Sequence, residues 1–129
     1  MSLILVTGAA GRTSSYVIKA LLASPVVKPD NLRLLVRSEE AVKKVQEKHP
    51  QLPRGSFVIA DYLEHSTLKP ALNGVDIVFH NGPAMHPLET AMGISLIDAT
   101  KAAGVEYFVY CSVLFPVLSK LLNHDVKMK

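Results

Sequence analysis

With 129 residues, the chain has room for one layered domain with a sizeable core, but not for a cofactor domain joined to a full substrate domain. Hydrophobic residues make up 49% of it, which suits an α/β architecture with central strands buried on both faces better than an amphipathic helical bundle. The 14 Lys and Arg outnumber the 11 Asp and Glu only slightly and are scattered, so direct nucleic-acid binding is not expected; one cysteine excludes an internal disulfide, and no apolar run approaches the roughly 20 residues of a membrane span.

In chain order, Leu3 to Val6 reads as a first strand and leaves no room for a removable signal, so a cytoplasmic location is expected, with the nucleus as the alternative. Ser15 to Ala23 carries Val17, Ile18, Leu21 and Leu22 at helical spacing before Pro25 and Pro29 stop it. Leu32 to Val36 is the second strand, and Ser38 can cap a helix whose first turn holds Glu39 and Glu40 and which ends at Lys48, His49 and Pro50. A third strand, Phe57 to Ala60, precedes a crossover of little more than two turns, with Ser66 as its expected cap, Asn73-Gly74 as its stop and Pro70 limiting its length. Val75 to Phe79 is the fourth strand. A helix from about Leu88 to Ala103 follows, with Leu96, Ile97 and Thr100 expected on its inner face and Gly104 able to close it in the left-handed conformation. Tyr107 to Ser112 is the fifth strand, and Cys111 within it is expected to be a buried, inert thiol.

Alternating strands and helices predict a doubly wound parallel sheet of the Rossmann type, and right-handed crossovers give the order 3-2-1-4-5. Ligand should then bind where strands one and four diverge. Thr7-Gly8-Ala9-Ala10-Gly11-Arg12-Thr13-Ser14 follows the first strand and opens a helix, the context a dinucleotide loop requires. Gly8 allows the tight turn, Gly11 lets backbone amides approach a pyrophosphate, and Ser14 is small enough for close packing in place of a third glycine. At the end of strand two, where an NAD-preferring site carries an acid, the sequence reads Val36-Arg37-Ser38. A guanidinium there attracts a 2′-phosphate and Arg12 can close on it from the glycine loop, so NADP is the expected cofactor; Thr13, next to Arg12 in the same loop, is counted with the cofactor-binding residues.

Thr7-Gly8-x-x-Gly11-x-x-Ser14, Arg37, Ala60-Asp61 and Tyr110-Cys111-Ser112 together resemble the NmrA-like group of atypical short-chain dehydrogenases over nearly the whole chain. The resemblance implies that Asp61 contacts the adenine, that Asn81 and Gly82 pass beside a cofactor ribose, and that Ser112 stands at the end of strand five where family dehydrogenases carry a serine. Those dehydrogenases continue with Tyr-x-x-x-Lys, whose lysine binds the nicotinamide ribose and lowers the tyrosine pKa. Here Asn123-His124-Asp125-Val126-Lys127 keeps the lysine but replaces the tyrosine with an amide that cannot titrate, so no catalytic residue is assigned.

His80 and His86 match no common metal-ligand spacing, and no metal is expected; His80 is either a residue lining the site or a surface-loop histidine. The chain stops at Lys129, inside the helix that Lys127 belongs to, and residues 1–129 are read as an NAD(P)-binding Rossmann domain truncated before its substrate-binding part. The leading function is an NADP(H)-binding or redox-sensing regulatory module, with a regulatory protein partner and homo-oligomerisation left open. Its competitor is an NADPH-dependent reductase acting on a carbonyl, imine or quinone. A third reading is an inactive truncated form, since half a doubly wound fold need not offset its conformational entropy.

Overall fold

The computed structural model describes residues 2–82 and 87–111. Among the described residues, five parallel strands, β1 (Ile4–Val6), β2 (Leu32–Val36), β3 (Phe57–Ile59), β4 (Ile77–His80) and β5 (Tyr107–Tyr110), form one sheet in the order β3-β2-β1-β4-β5. The expected topology is therefore found, with Val6 of β1 opposite both Leu34 of β2 and Phe79 of β4. The crossovers are α1 (Arg12–Ala23), α2 (Glu39–Lys48), α3 (His65–Leu72) and α4 (Glu89–Ala103).

Two apolar layers sandwich the sheet. On one face Val6, Leu34 and Val36 pack with Ile18 of α1 and with Val42 and Val45 of α2. On the other, Leu5, Leu35 and Val78 pack with Leu68 and Leu72 of α3 and with Met92 and Leu96 of α4. Adjacent residues Leu34 and Leu35 are both fully buried because they point to opposite faces of a covered sheet. Each such leucine stabilises the fold by about 1.5–3 kcal/mol. At the edge this symmetry fails, since Tyr107 and Val109 of β5 are exposed.

Local chemistry explains most element boundaries. Ser38 Oγ accepts the Ala41 amide at the start of α2, as expected, while Gly104 closes α4 at φ 76°. Three expectations are corrected. Ser66 does not cap α3 but lies in its first turn; the turn is anchored instead by Thr67 Oγ1, which accepts the Asp61 amide at 3.0 Å and lies 2.7 Å from the Glu64 carbonyl oxygen. Ile97 is 39% exposed, because the buried stripe of α4 runs through Met92, Leu96, Ala99 and Thr100 and a residue one step past Leu96 is rotated out of it. Cys111 is only half-buried, as it follows β5, the outermost strand among the described residues, rather than a central one. Pro70 is accommodated inside α3, which has eight residues, just over two turns. Among the described residues, no helix is long and apolar enough to cross a membrane.

Candidate functional site

The carboxyl ends of β1 and β4 part company around the loop from Thr7 to Gly11, and the loop is built from β1 outward. Thr7 is fully buried, its amide donating to the Phe79 carbonyl at 3.0 Å. Gly8 then adopts φ 56°, and a Cβ at this position would lie 2.5 Å from the Asn81 carbonyl oxygen, so only glycine lets the loop pass the end of β4. The Gly11 amide closes the turn onto the Gly8 carbonyl at 2.9 Å, and the Ala9 amide reaches Leu35 of β2 at 3.3 Å. The loop is thereby tied to both strands flanking β1.

Side chains pin the loop from beneath. Ser14 Oγ donates to the Thr7 carbonyl at 3.1 Å, and Asn81 Nδ2 donates to Ser14 Oγ at 3.1 Å. Thr7 Oγ1 accepts the Asn81 amide at 3.0 Å and is joined to His80 Nδ1 at 2.8 Å. His80 is a buried residue at the end of β4, ringed by Tyr62, Phe108 and Tyr110, not a surface-loop histidine. Tyr62, buried between β3 and α3, accepts the Gly8 amide through its hydroxyl at 3.2 Å. Burial pushes its phenol above the ordinary tyrosine value, an effect opposed by its bonds to Thr7 and the Gly8 amide and by the Arg37 charge.

Above this support opens a cleft of about 390 Å³. It is lined by Gly8, Gly11, Arg12 and Thr13 from the loop and the start of α1, by Arg37 after β2, and by Asn81 and Gly82 after β4. Seven of the residues singled out in the sequence thus meet at one place. Asp61 does not line the cleft; it is exposed, and its Oδ1 accepts the Leu63 amide at 2.9 Å in a local turn. Ser112 and Lys127 lie outside the described residues, as do His86, Asn123 and His124. Tyr62 is a polar lining residue that sequence reading missed. Its available signal was weak: one aromatic within the polar turn Asp61-Tyr62-Leu63-Glu64.

The cleft is electrostatically one-sided. Gly11 is the N-cap of α1 and offers no side-chain cap, so the first-turn amides face the cleft with the positive end of the helix dipole, and no acid occupies that turn. Among the described residues, none that lines the cleft is a carboxylate. Glu39, which follows the end of β2, is paired with Arg54 instead, and that partner holds its carboxyl below the ordinary value. The Arg37 guanidinium lies 5.9 Å from the Tyr62 ring centroid and 3.7 Å from Met92 Sδ. The arrangement suits an elongated ligand with phosphates at the α1 N-terminus and a further anionic group between Arg12 and Arg37. Tyr62→Phe is expected to lower stability by about 1 kcal/mol, because the Gly8 amide loses its acceptor. Thermal melting checks this; an unchanged midpoint would show that the phenol does not hold the loop.

A parallel β3-β2-β1-β4-β5 sheet with a glycine loop at its crevice defines a Rossmann-type α/β protein. The model of the NmrA-like family matches residues 1–122, and the chain belongs to that family. It is 34% identical over 107 residues to an NAD(P)H azoreductase of Xenophilus azovorans, a match covering 83% of this chain and 34% of that protein. Among solved structures, an NADPH-dependent quinone oxidoreductase from Escherichia coli complexed with NADPH superposes with a TM-score of 0.80 at 26% identity. A triphenylmethane reductase from Citrobacter sp. complexed with NADP(H) gives 0.78 at 25%. Both matches cover 98% of this chain and 42% of the other, so the chain spans well under half the length of these relatives.

Proposed function

We propose that this chain binds NADP(H) in the β1–β4 cleft and forms the cofactor-holding part of an NADPH-dependent reductase. The observation that carries the reading is the acid-free phosphate cradle, in which an uncapped helix N-terminus meets two guanidinium groups. Glycine at positions 8 and 11, where a Cβ would lie 2.5 Å from the Asn81 carbonyl oxygen and 3.1 Å from the Gly8 carbonyl oxygen, keeps the loop tight enough to suit a dinucleotide pyrophosphate. The first-turn amides of Arg12 and Thr13 would hold the pyrophosphate, with Gly8 and Gly11 shaping the loop so that it can approach them; Arg12 and Arg37 side chains would hold the 2′-phosphate, and Asn81 with Gly82 would form the wall beside the ribose. Asp61 would meet the adenine only at the rim, and Ser112 and Lys127 are assigned to the nicotinamide end through the family motif.

When bound, NADPH supplies a hydride; the residues of this chain bind and orient it. The named relatives reduce azo compounds, quinones and triphenylmethanes, so a conjugated, electron-poor acceptor is the proposed substrate class. Dinucleotide sensing with a regulatory partner is the second reading, favoured by Asn123 standing where dehydrogenases of this type carry tyrosine. Calorimetric titration is expected to show NADPH binding more tightly than NADH, and equal affinities or no binding would sink the cofactor assignment. NADPH oxidation against a quinone, an azo dye and an aldehyde separates the two readings. Sustained turnover supports the reductase, and tight binding without turnover supports the sensor.

A further inference from the structure

A second cavity, of about 610 Å³, lies between α1 and the end of α2. Its size falls within the roughly 300–1,000 Å³ common for small-molecule sites. Arg12, Ser15, Tyr16 and Lys19 contribute from successive turns of one α1 face, and Lys48 and His49 from the α2 terminus. Arg12, Lys19 and Lys48 therefore converge there, and among the described residues none that lines the cavity is an acid. Tyr16 is 70% exposed, which leaves its ring open to a ligand lying in the groove. His49 is buried, with Nε2 3.4 Å from Ser15 Oγ, which places a rigid polar group in the wall between the two helices.

We propose that this groove is a second anion site, adjoining the dinucleotide cleft at Arg12, which takes a small phosphorylated aromatic molecule. Arg12, Lys19 and Lys48 hold the phosphate, and the Tyr16 face takes the ring. Arg12 also lines the dinucleotide cleft, so the two sites share one cation.

His49 reports on occupancy. Burial, Lys48 of α2 and Lys19 of α1, in that order, hold its pKa below the ordinary histidine value, and an anion beside those lysines opposes their repulsion and raises it. Following the His49 ring by NMR while titrating phenyl phosphate is expected to move its pKa upward. Lys19→Ala with Lys48→Ala, both at exposed positions, should weaken phenyl phosphate by about tenfold or more, whereas Arg37→Ala should leave that response intact. Tyr16→Ala should weaken phenyl phosphate more than inorganic phosphate. Phosphatidylcholine vesicles containing phosphatidylserine are expected not to sediment the protein. An unmoved His49 titration overturns the proposal, as does a shift that persists in the lysine double variant or disappears in Arg37→Ala. Equal loss of the two probes in Tyr16→Ala removes the aromatic specificity, and vesicle binding abolished by the lysine substitutions would reassign the groove to a lipid surface.

Discussion

Replacing Arg37 by alanine is expected to lower NADPH affinity by about 10- to 100-fold while changing NADH affinity little. Charge-assisted hydrogen bonds to a phosphate contribute about 1.5–3 kcal/mol, and 1.4 kcal/mol is a factor of ten. The two cofactors differ only in the 2′-phosphate, so a loss confined to NADPH locates that phosphate beside Arg37. Arg37→Lys should recover part of the affinity, because an ammonium keeps the charge but not the planar pair of donors. The fold should tolerate both variants, since Arg37 is exposed, with its guanidinium beside the Tyr62 ring and Met92 Sδ. Equal losses for NADPH and NADH would show that Arg37 shapes the cleft rather than selecting the cofactor.

Gly8→Ala is expected to abolish dinucleotide binding and to lower the melting temperature. Holding a side-chain-bearing residue at φ 56° costs on the order of 1–3 kcal/mol by itself. A Cβ 2.5 Å from the Asn81 carbonyl oxygen must also push the loop and the end of β4 apart, opening the Thr7, Ser14 and Asn81 hydrogen bonds. Gly74→Ala is the matched control: its φ is 76°, but nothing lies within 4 Å of the added carbon, so it should cost stability without affecting binding. Gly11→Ala separates fold from function further. Its φ is an ordinary −75°, while the new Cβ would sit 3.1 Å from the Gly8 carbonyl oxygen, so a folded protein with weakened binding is expected. Unchanged NADPH affinity in both Gly8→Ala and Gly11→Ala would remove the phosphate cradle from the cofactor site.

Local chemistry made much of this legible. Ser38 before two glutamates specified the start of α2, and Gly104 the end of α4, because each signal acts within one turn of chain. Ser66 misled for the opposite reason: a serine is an acceptable cap anywhere, and Thr67 secured the turn by reaching back six residues to Asp61. Ile97 and Leu96 are equally apolar neighbours, and only the packing of α4 against α3 decided which one is buried.

The sequence by itself determined the parallel α/β architecture, the strand order and the glycine loop at the crevice. These follow from short-range periodicity, from the handedness of crossovers and from backbone freedom at Gly8. Tertiary structure alone decided which side chains support that loop. Thr7 and His80 are 73 residues apart in the chain, and Gly8 and Tyr62 are 54 apart. No local pattern encodes such pairings, because they arise only when parallel strands from distant segments end at the same edge of one sheet. The same distinction applies to charge: the scattered cations of the sequence converge on two cavities only after α1, α2 and β2 are packed together.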